Sequence, residues 1–473
     1  MAIATINPTT GELVKSFDSL SAQELDDRLQ RASDAFRNYR LTSIEERAGW
    51  LRAAADVLDA DADRVGELMT LEMGKTLAAA KAEVAKCAKA LRYFAQHGAE
   101  FLANRPADAE AVGAEQAFVT YQPIGVVLAI MPWNFPLWQA MRFAAPALMA
   151  GNVGLLKHAS NVPQTALYME ELFRKADFPA DVFQTLLIGS SDVEKVLRDG
   201  RVAAATLTGS GPAGQSVASI AGDVLKKTVL ELGGSDPFVV MPSADLDKAA
   251  DVAVIARCQN NGQSCIAAKR FIVHESVADE FERLFAEKLA ALPVGDPMDE
   301  STKVGPLATE SGREDVEELV KDAVDKGARV VTGGQRPDRP GWFYPPTLVT
   351  GVTPEMRMYG EEVFGPVATL FRVPDLDAAI EIANDTEFGL GSNIWTDEPA
   401  ERERFIRDVQ AGMVFINGMT TSYPELPFGG VKTSGYGREL TELGMREFLN
   451  IKSVWVGADS SAQPAASTAA QTE

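Results

Sequence analysis

Cys265 ends a polar segment that could carry nucleophilic chemistry. The segment reads Asn260-Asn-Gly-Gln-Ser-Cys265 and follows a predicted helix. A structural cysteine normally has apolar neighbours, whereas a thiolate nucleophile needs polar, accessible surroundings. Cys265 is therefore a candidate nucleophile, with an inert cysteine as the alternative. We expect Cys258 to pack in the core and Cys87 to be an ordinary helix residue.

Glu231 ends an apolar strand and precedes two glycines, in Leu230-Glu-Leu-Gly-Gly234. A carboxylate at a strand end is often simply solvated. If Glu231 is partly buried, its pKa rises and it can act as a general base.

Asn134 lies between Pro132 and Pro136, which restrict its backbone. A fixed side-chain amide can donate to a developing oxyanion, and the alternative is a helix N-cap. Trp138 and Arg142 follow at i+4 and i+8, so the spacing predicts that all three share roughly one helix face. Arg142 could clamp a substrate carboxylate or form an internal ion pair.

Gly209-Ser-Gly-Pro-Ala-Gly214 fits the dinucleotide fingerprint G-x-G-x-x-G. The motif follows a predicted strand and opens a predicted helix, where backbone N–H groups suit a phosphate. Glu231 stands at the spacing of the acidic residue that binds the ribose in this fingerprint. A glycine-rich turn without a ligand is the alternative interpretation.

The elements that must position these residues alternate along the chain. Apolar runs predict strands at 126–130, 153–157, 203–206 and 228–232, with helices at 164–175 and 213–221 between them. This order predicts a parallel sheet covered by helices. A second alternating block runs from Phe238 to about Phe415, and 449–456 is a late strand. Ser21 and Glu24 have capping-box spacing for an early helix.

Six motifs in order carry a resemblance to the NAD(P)-dependent aldehyde dehydrogenase superfamily, which extends from Asn7 to Val456. They are Pro132-Trp-Asn-Phe-Pro136, Thr208-Gly-Ser210, Leu230-Glu-Leu-Gly-Gly234, Gly262-Gln-Ser-Cys265, Glu361-Glu-Val-Phe-Gly-Pro366 and Pro427-Phe-Gly-Gly430.

The resemblance implies a catalytic role for three residues. Cys265 would attack the aldehyde to give a thiohemiacetal, and the Asn134 amide with the Cys265 N–H would hold the oxyanion. Hydride transfer to the nicotinamide would leave a thioester. Glu231 would activate the water that hydrolyses this thioester, so the resemblance replaces its role as a ribose ligand.

The resemblance also implies the cofactor contacts. Glu362 and Phe364 would position the nicotinamide ribose and ring. Lys157 matches a ribose-contacting lysine, and Ser160 stands where many NAD-preferring members have a glutamate that repels a 2′-phosphate. We therefore predict that NADP is accepted or preferred, with NAD as the other cofactor. The remaining predicted cofactor contacts are Trp133, Gly209, Ser210, Gly214 and Leu232.

Residues 132–146 are similar to those of bacterial succinate-semialdehyde dehydrogenases. This similarity implies that Trp138, Arg142 and Ser422 contact the substrate, with Arg142 and Ser422 at the far carboxylate. The alternatives are other aliphatic, aromatic or semialdehyde substrates, a CoA-acylating enzyme, or a non-catalytic binding protein on the same fold.

The implied fold is α/β, with a Rossmann-like cofactor domain, an α/β catalytic domain and a small β oligomerisation element. We place the cofactor domain at 1–232, with 105–123 contributing to the bridging element, and the catalytic domain at 233–429. Residues 430–457 form a return segment with the oligomerisation strand, and 458–473 a disordered tail. A homodimer or homotetramer is expected.

Composition restricts the other partners. With 67 acidic and 45 basic residues the formal charge is −22, which disfavours nucleic acids and anionic membranes. Three cysteines and three scattered histidines form no cluster with zinc-site spacing, so no metal is predicted. The sequence has no apolar run of membrane-spanning length and no secretory signal, so we expect a cytoplasmic enzyme.

Overall fold

The computed structural model describes residues 2–458, so the predicted tail lies outside the described residues apart from Ala458. Helices make up much of this range and cover the sheets. They are α1 (Ala22–Tyr39), α2 (Ile44–Ala60), α3 (Ala62–Met73), α4 (Leu77–Phe101), α5 (Trp138–Met149), α6 (Pro163–Lys175), α7 (Val193–Arg198), α8 (Gly211–Asp223), α9 (Leu246–Cys258), α10 (Glu275–Ala290), α11 (Glu310–Asp325), α12 (Arg357–Gly360), α13 (Leu376–Asn384), α14 (Pro399–Asp408) and α15 (Thr441–Arg446).

The strands form a hairpin and three larger sheets. They are β1 (Ile3–Ile6), β2 (Leu13–Phe17), β3 (Arg105–Pro106), β4 (Gln116–Pro123), β5 (Val126–Met131), β6 (Val153–His158), β7 (Phe183–Thr185), β8 (Val202–Thr208), β9 (Lys227–Glu231), β10 (Asp236–Val240), β11 (Ala268–His274), β12 (Arg329–Thr332), β13 (Thr347–Thr350), β14 (Val367–Val373), β15 (Asn393–Trp395), β16 (Phe415–Ile416), β17 (Gly435–Tyr436) and β18 (Leu449–Val456).

A six-stranded sheet carries the first set of site residues. Its order is β17-β9-β8-β5-β6-β7, and all neighbours are parallel except β17, which pairs antiparallel with β9. Strand β5 is almost entirely buried, as expected of a parallel sheet with helices on both faces. The carboxyl ends of parallel strands meet at one edge, so the turns after β5, β6, β8 and β9 converge there.

A seven-stranded sheet forms the second unit. Its order is β12-β13-β14-β11-β10-β15-β16, parallel except for the β12–β13 pair. The loop between α9 and β11 holds Cys265. Both large sheets are thus mostly parallel with intervening helices, and the predicted α/β class is confirmed.

A three-stranded antiparallel sheet, β18-β4-β3, joins two distant parts of the chain. Strand β18 pairs with β4 over its whole length and has no strand on its other side among the described residues. After residue 429 the chain returns to the first unit, where β17 pairs with β9 and Met445 of α15 joins the first core. The exact domain boundaries remain a prediction.

Helix α1 is capped by residues next to it in the sequence, whereas helix α5 is capped by a residue of another helix. Helix α1 has the expected capping box between Ser21 and Glu24, which is confirmed. Helix α5 begins at Trp138, so the prediction that Asn134 shares its helical face is wrong, and Asn134 is not its N-cap. The carboxylate of Glu83 accepts the N–H groups of Leu137 (2.9 Å) and Trp138 (2.8 Å) and caps α5 from a distant helix.

Candidate active site

The loop that carries Cys265 is held by many buried hydrogen bonds. Asn261 adopts a left-handed conformation (φ 58°), and its amide donates to the carbonyl oxygens of Gly74 (2.8 Å) and Pro306 (2.9 Å). The ammonium of Lys269 donates to the carbonyl oxygen of Cys265 at 2.8 Å. These contacts hold the buried Cys265 in a defined position.

The environment of Cys265 favours the neutral thiol. Burial, together with the charge of Glu231, raises the pKa of Cys265 to about 12, against the opposing positive charges of Arg142 and Lys269. Deprotonation therefore has to be coupled to the attack on a substrate, with a neighbouring base taking the proton.

Glu231 ends β9 at the edge where the strands converge, and its side chain is buried. Neither of its carboxylate oxygens has a hydrogen-bond partner among the described residues, and the guanidinium of Arg142 lies 3.6 Å away. Burial raises the pKa of Glu231 to about 8, although the charge of Arg142 opposes the rise. Such a carboxyl group gains or loses a proton near neutral pH, as a general base requires.

Asn134 follows β5 and lies against the cysteine loop. Its side-chain amide donates to the carbonyl oxygen of Gln263 at 3.2 Å, two residues before Cys265. Asn260 in turn donates to the backbone oxygen of Asn134 at 2.7 Å. The two loops are thereby joined, and the Asn134 amide stays near the nucleophile.

A cavity of about 290 Å³ brings eight predicted site residues together. They are Trp133, Asn134, Gly209, Ser210, Leu232, Cys265, Glu362 and Phe364. A larger open groove of about 630 Å³ lies between α11 and β12 and holds none of the predicted residues. The smaller cavity therefore marks the candidate active site.

The turn from β8 to α8 has the features of a phosphate cradle. Helix α8 begins at Gly211, and its N-cap Ser210 makes no side-chain cap, so its first N–H groups remain available to an anion. A Cβ at Gly211 would meet no atom within 4 Å, which leaves room above the helix. A Cβ at Gly214 would lie 2.6 Å from Leu232, so glycine allows close packing of helix and strand.

The residues around this turn suit a nicotinamide dinucleotide. Phe364 packs edge-on against Trp133, with ring centroids 5.7 Å apart. Glu362 lies 3.1 Å from the Lys269 ammonium and accepts a hydrogen bond from the Gly234 N–H at 3.2 Å. Lys157 is the second-last residue of β6, three residues before Ser160, and within residues 2–458 it forms no ion pair. Burial lowers the pKa of Lys157, a cost that a phosphate would offset.

Two of the three predicted substrate residues contact each other. The indole N–H of Trp138 donates to the Ser422 hydroxyl oxygen at 3.0 Å, and both side chains are buried. Arg142 instead forms an internal ion pair with Glu439 and stacks over Phe428, with its guanidinium carbon 4.3 Å from the ring centroid. Arg142 lies one helical turn from Trp138 and 3.6 Å from Glu231. Trp138, Arg142 and Ser422 are not among the residues that line the 290 Å³ cavity.

Comparison with known proteins shows the family of this chain. The aldehyde dehydrogenase family model matches residues 1–454. This chain belongs to the aldehyde dehydrogenase family. It is 64% identical over 462 residues to a succinate-semialdehyde dehydrogenase [NADP(+)] of Mycobacterium avium, covering 98% of each chain. It is 63% identical over 456 residues to succinate-semialdehyde dehydrogenase [NADP(+)] 1 of Mycobacterium tuberculosis, covering 96% of this chain and all of that one.

Solved structures give the same family. A succinic semialdehyde dehydrogenase from Streptococcus pyogenes, crystallised with NADP+, has a TM-score of 0.94 and 40% identity and covers 97% of this chain and 100% of its own. The predicted membership and the aldehyde dehydrogenase fold are thus confirmed.

Four charged residues of this aldehyde dehydrogenase site were missed by sequence reasoning. Lys269 and Glu439 contact Glu362 and Arg142, whereas Glu83 and Lys86 approach from α4. The signal for the last two is their spacing: Glu83 and Lys86 are three residues apart and lie next to the buried Val84 and Cys87 of α4.

Two further observations concern metals and membranes. Across residues 2–458, no group of three or more His, Cys, Asp or Glu side chains is arranged to hold a metal ion. In the same range no helix combines the length and apolar character needed to cross a bilayer.

Proposed function

We propose that this aldehyde dehydrogenase oxidises succinate semialdehyde to succinate with NADP+. The observation that carries the proposal is the convergence of Cys265, Glu231 and Asn134 beside a cavity that opens onto the α8 cradle. The names of the mycobacterial and streptococcal relatives support both the aldehyde and the cofactor.

The first chemical step is attack of the Cys265 sulfur on the aldehyde carbon. A C–S bond forms, and the carbonyl oxygen becomes an oxyanion that the Asn134 amide and the Cys265 N–H stabilise. The thiol proton passes to a base, and Glu231 is the carboxylate whose charge acts most strongly on Cys265. NADP+, when bound, supplies the hydride acceptor that turns the thiohemiacetal on Cys265 into a thioester.

Hydrolysis releases the acid. Glu231, in its ionised form, takes a proton from water as the water oxygen attacks the thioester carbon. Collapse of the tetrahedral intermediate breaks the C–S bond and returns Cys265 as the leaving group. The burial of Glu231 keeps its pKa close to physiological pH, where it can exchange this proton.

The cofactor preference rests on Lys157 and Ser160. Lys157 offers a positive charge without a carboxylate partner in the described structure, and Ser160 adds no negative charge beside it. A 2′-phosphate gains a charge-assisted contact there, so NADP+ should bind at least as well as NAD+.

The far carboxylate of the substrate is assigned to Trp138, Arg142 and Ser422. Trp138 fixes Ser422 through its indole N–H. Arg142 already pairs with Glu439, so a substrate carboxylate has to compete with Glu439 for its guanidinium.

We also propose a homodimer or homotetramer built through β18. Its free edge carries exposed Ile451 (60%) and Trp455 (58%), and exposed apolar side chains on an edge strand favour pairing with another chain. Light scattering should give a mass of two or four chains, and a monomer would contradict this proposal. A cytoplasmic location remains a prediction.

A substrate comparison tests the proposed activity. Formation of reduced cofactor is measured with succinate semialdehyde and butanal, each with NADP+ and NAD+. We expect a higher kcat/KM for succinate semialdehyde and an affinity for NADP+ no weaker than for NAD+. Equal kcat/KM values, or a preference for butanal, would contradict the substrate assignment. An affinity for NADP+ that is about tenfold or more weaker than the affinity for NAD+ would contradict the cofactor assignment.

A further inference from the structure

Lys86 on α4 is a partly buried cation that contacts two of the predicted substrate residues. Its ammonium donates to the Ser422 hydroxyl oxygen at 2.6 Å and lies 4.3 Å from the centroid of the Trp138 ring. Both partners belong to the predicted substrate contacts, although Lys86 is 336 residues away from Ser422 in sequence.

Lys86 has no counter-ion among the described residues. Two other lysines of the same helix are paired, Lys81 with Asp63 and Lys89 with Glu425. The nearest carboxylate along the helix is Glu83, but it pairs with the buried Lys75 and caps α5. A partly buried ammonium group with one hydroxyl contact therefore retains an unbalanced charge and two unused donors.

The hydroxyl of Ser422 is arranged to act with this ammonium group. Its oxygen accepts hydrogen bonds from both Lys86 and Trp138, so its own hydrogen is left to donate. A carboxylate in this position would receive one hydrogen bond from Ser422 and a charge-assisted one from Lys86. Burial lowers the pKa of Lys86 to about 8, and the charge of Arg142 adds to this effect.

The Lys86–Ser422 pair lies one helical turn of α5 before the arginine that approaches Glu231. Trp138 and Arg142 are one turn apart on α5, and Arg142 approaches Glu231 to 3.6 Å. Lys86 and Ser422 both contact Trp138, one turn of α5 before Arg142, so we place them at the end of the site away from Glu231. We propose that Lys86 supplies the unbalanced positive charge that binds the far carboxylate of the aldehyde, together with Ser422. This inference rests on the proposed function.

The test is a comparison of Lys86→Met with the wild type on succinate semialdehyde and butanal at saturating NADP+. We expect KM for succinate semialdehyde to rise roughly 10- to 100-fold, because a charge-assisted hydrogen bond is lost. The kcat for both substrates and the KM for butanal should stay within about threefold, because no reacting group is touched. Lys86→Arg should restore most of the affinity.

Lys81→Met is the matched control, since it removes a cation from the same helix away from Ser422. It should leave both substrates unchanged. Succinate inhibition against butanal gives a second measurement, and its inhibition constant should also rise in Lys86→Met. An unchanged KM in Lys86→Met, or an equal loss on both substrates, would overturn the assignment of Lys86.

The two proposals fail in different ways. If the wild type does not prefer succinate semialdehyde over butanal, the proposed function fails. If the wild type shows this preference and Lys86→Met keeps it, only the role of Lys86 fails.

Discussion

Arg142 lies between the carboxylates of Glu439 and Glu231, whereas Lys86, near the next turn of α5, faces no carboxylate among the described residues. Both cations are close enough for the charge of Arg142 to lower the pKa of Lys86. Carboxylates therefore offset the charge of Arg142, which extends toward the reacting end, whereas no carboxylate of the described residues offsets the charge of Lys86.

This difference separates two tasks. The contact with Arg142 keeps Glu231 near its point of ionisation, because burial favours the neutral acid and Arg142 opposes it. An unbalanced charge at the far end favours an anionic ligand, since binding offsets the cost of burying the ammonium group. Chemistry and recognition should thus respond differently to substitution.

The largest effect is expected for Glu231→Gln. Without a base for the water, kcat should fall about 100- to 10,000-fold for succinate semialdehyde and butanal alike. Rapid mixing should still show about one reduced cofactor per active site before steady turnover, because hydrolysis follows hydride loss. This reduced cofactor should form more slowly than in the wild type, because Glu231 also takes the thiol proton. Full steady-state turnover would contradict the role of Glu231 as the base.

Arg142→Leu should damage both ends of the site. It removes the ion-pair partner of the buried Glu439 and Glu231, which costs about 3–5 kcal/mol of unfolding free energy. We expect a lower kcat on both substrates and a larger loss in kcat/KM on succinate semialdehyde. Denaturant unfolding and steady-state kinetics measure the two effects. A loss confined to succinate semialdehyde, with normal stability, would make Arg142 a simple carboxylate clamp.

Ser160→Glu tests a second unbalanced cation, Lys157. A carboxylate beside it should repel a 2′-phosphate and neutralise the lysine. The ratio of NADP+ to NAD+ affinity should fall at least about tenfold, ~1.4 kcal/mol. Cofactor titration measures the ratio, and Ser160→Gln is the neutral control. Equal behaviour of the two variants would contradict an electrostatic origin.

The smallest effect is expected for Glu439→Gln. The charge of Glu439 raises the pKa of Glu231, so its removal should move that pKa below about 8. Since the ionised form is the base, the rising limb of kcat against pH should shift to lower pH by about one unit, ~1.4 kcal/mol. Glu442→Gln, an exposed change in the same segment, should leave the profile in place. A shift to higher pH would contradict the charge coupling.

Local patterns predicted much of the fold. The capping box of α1 and the buried strands β5 and β6 depend on neighbouring residues and were visible in the sequence. The start of α5 was not, because Glu83 caps it from another helix 54 residues away from Leu137. Strand β17 has only two residues and forms through pairing with β9, so no periodic pattern marks it.

The residues of the candidate site were also only partly predictable from the sequence. Asn134, Glu231 and Cys265 lie in motifs that the sequence displays, and the motif order indicated their family. The partners that set their charges, such as Glu439 and Lys86, come from distant segments and depend on the tertiary fold. The sequence left two roles for Arg142, a clamp for the substrate carboxylate or an internal ion pair. It could not decide between them because the partner, Glu439, is about 300 residues away.

The most direct test of the proposed chemistry is to trap the acyl enzyme. Glu231→Gln is mixed with succinate semialdehyde and NADP+, quenched in acid, and analysed by peptide mass spectrometry. We predict a succinyl group on the peptide that contains Cys265, and no adduct in the matched Cys265→Ala preparation. An unmodified Cys265, or a succinyl group on another residue, would contradict catalysis through a Cys265 thioester.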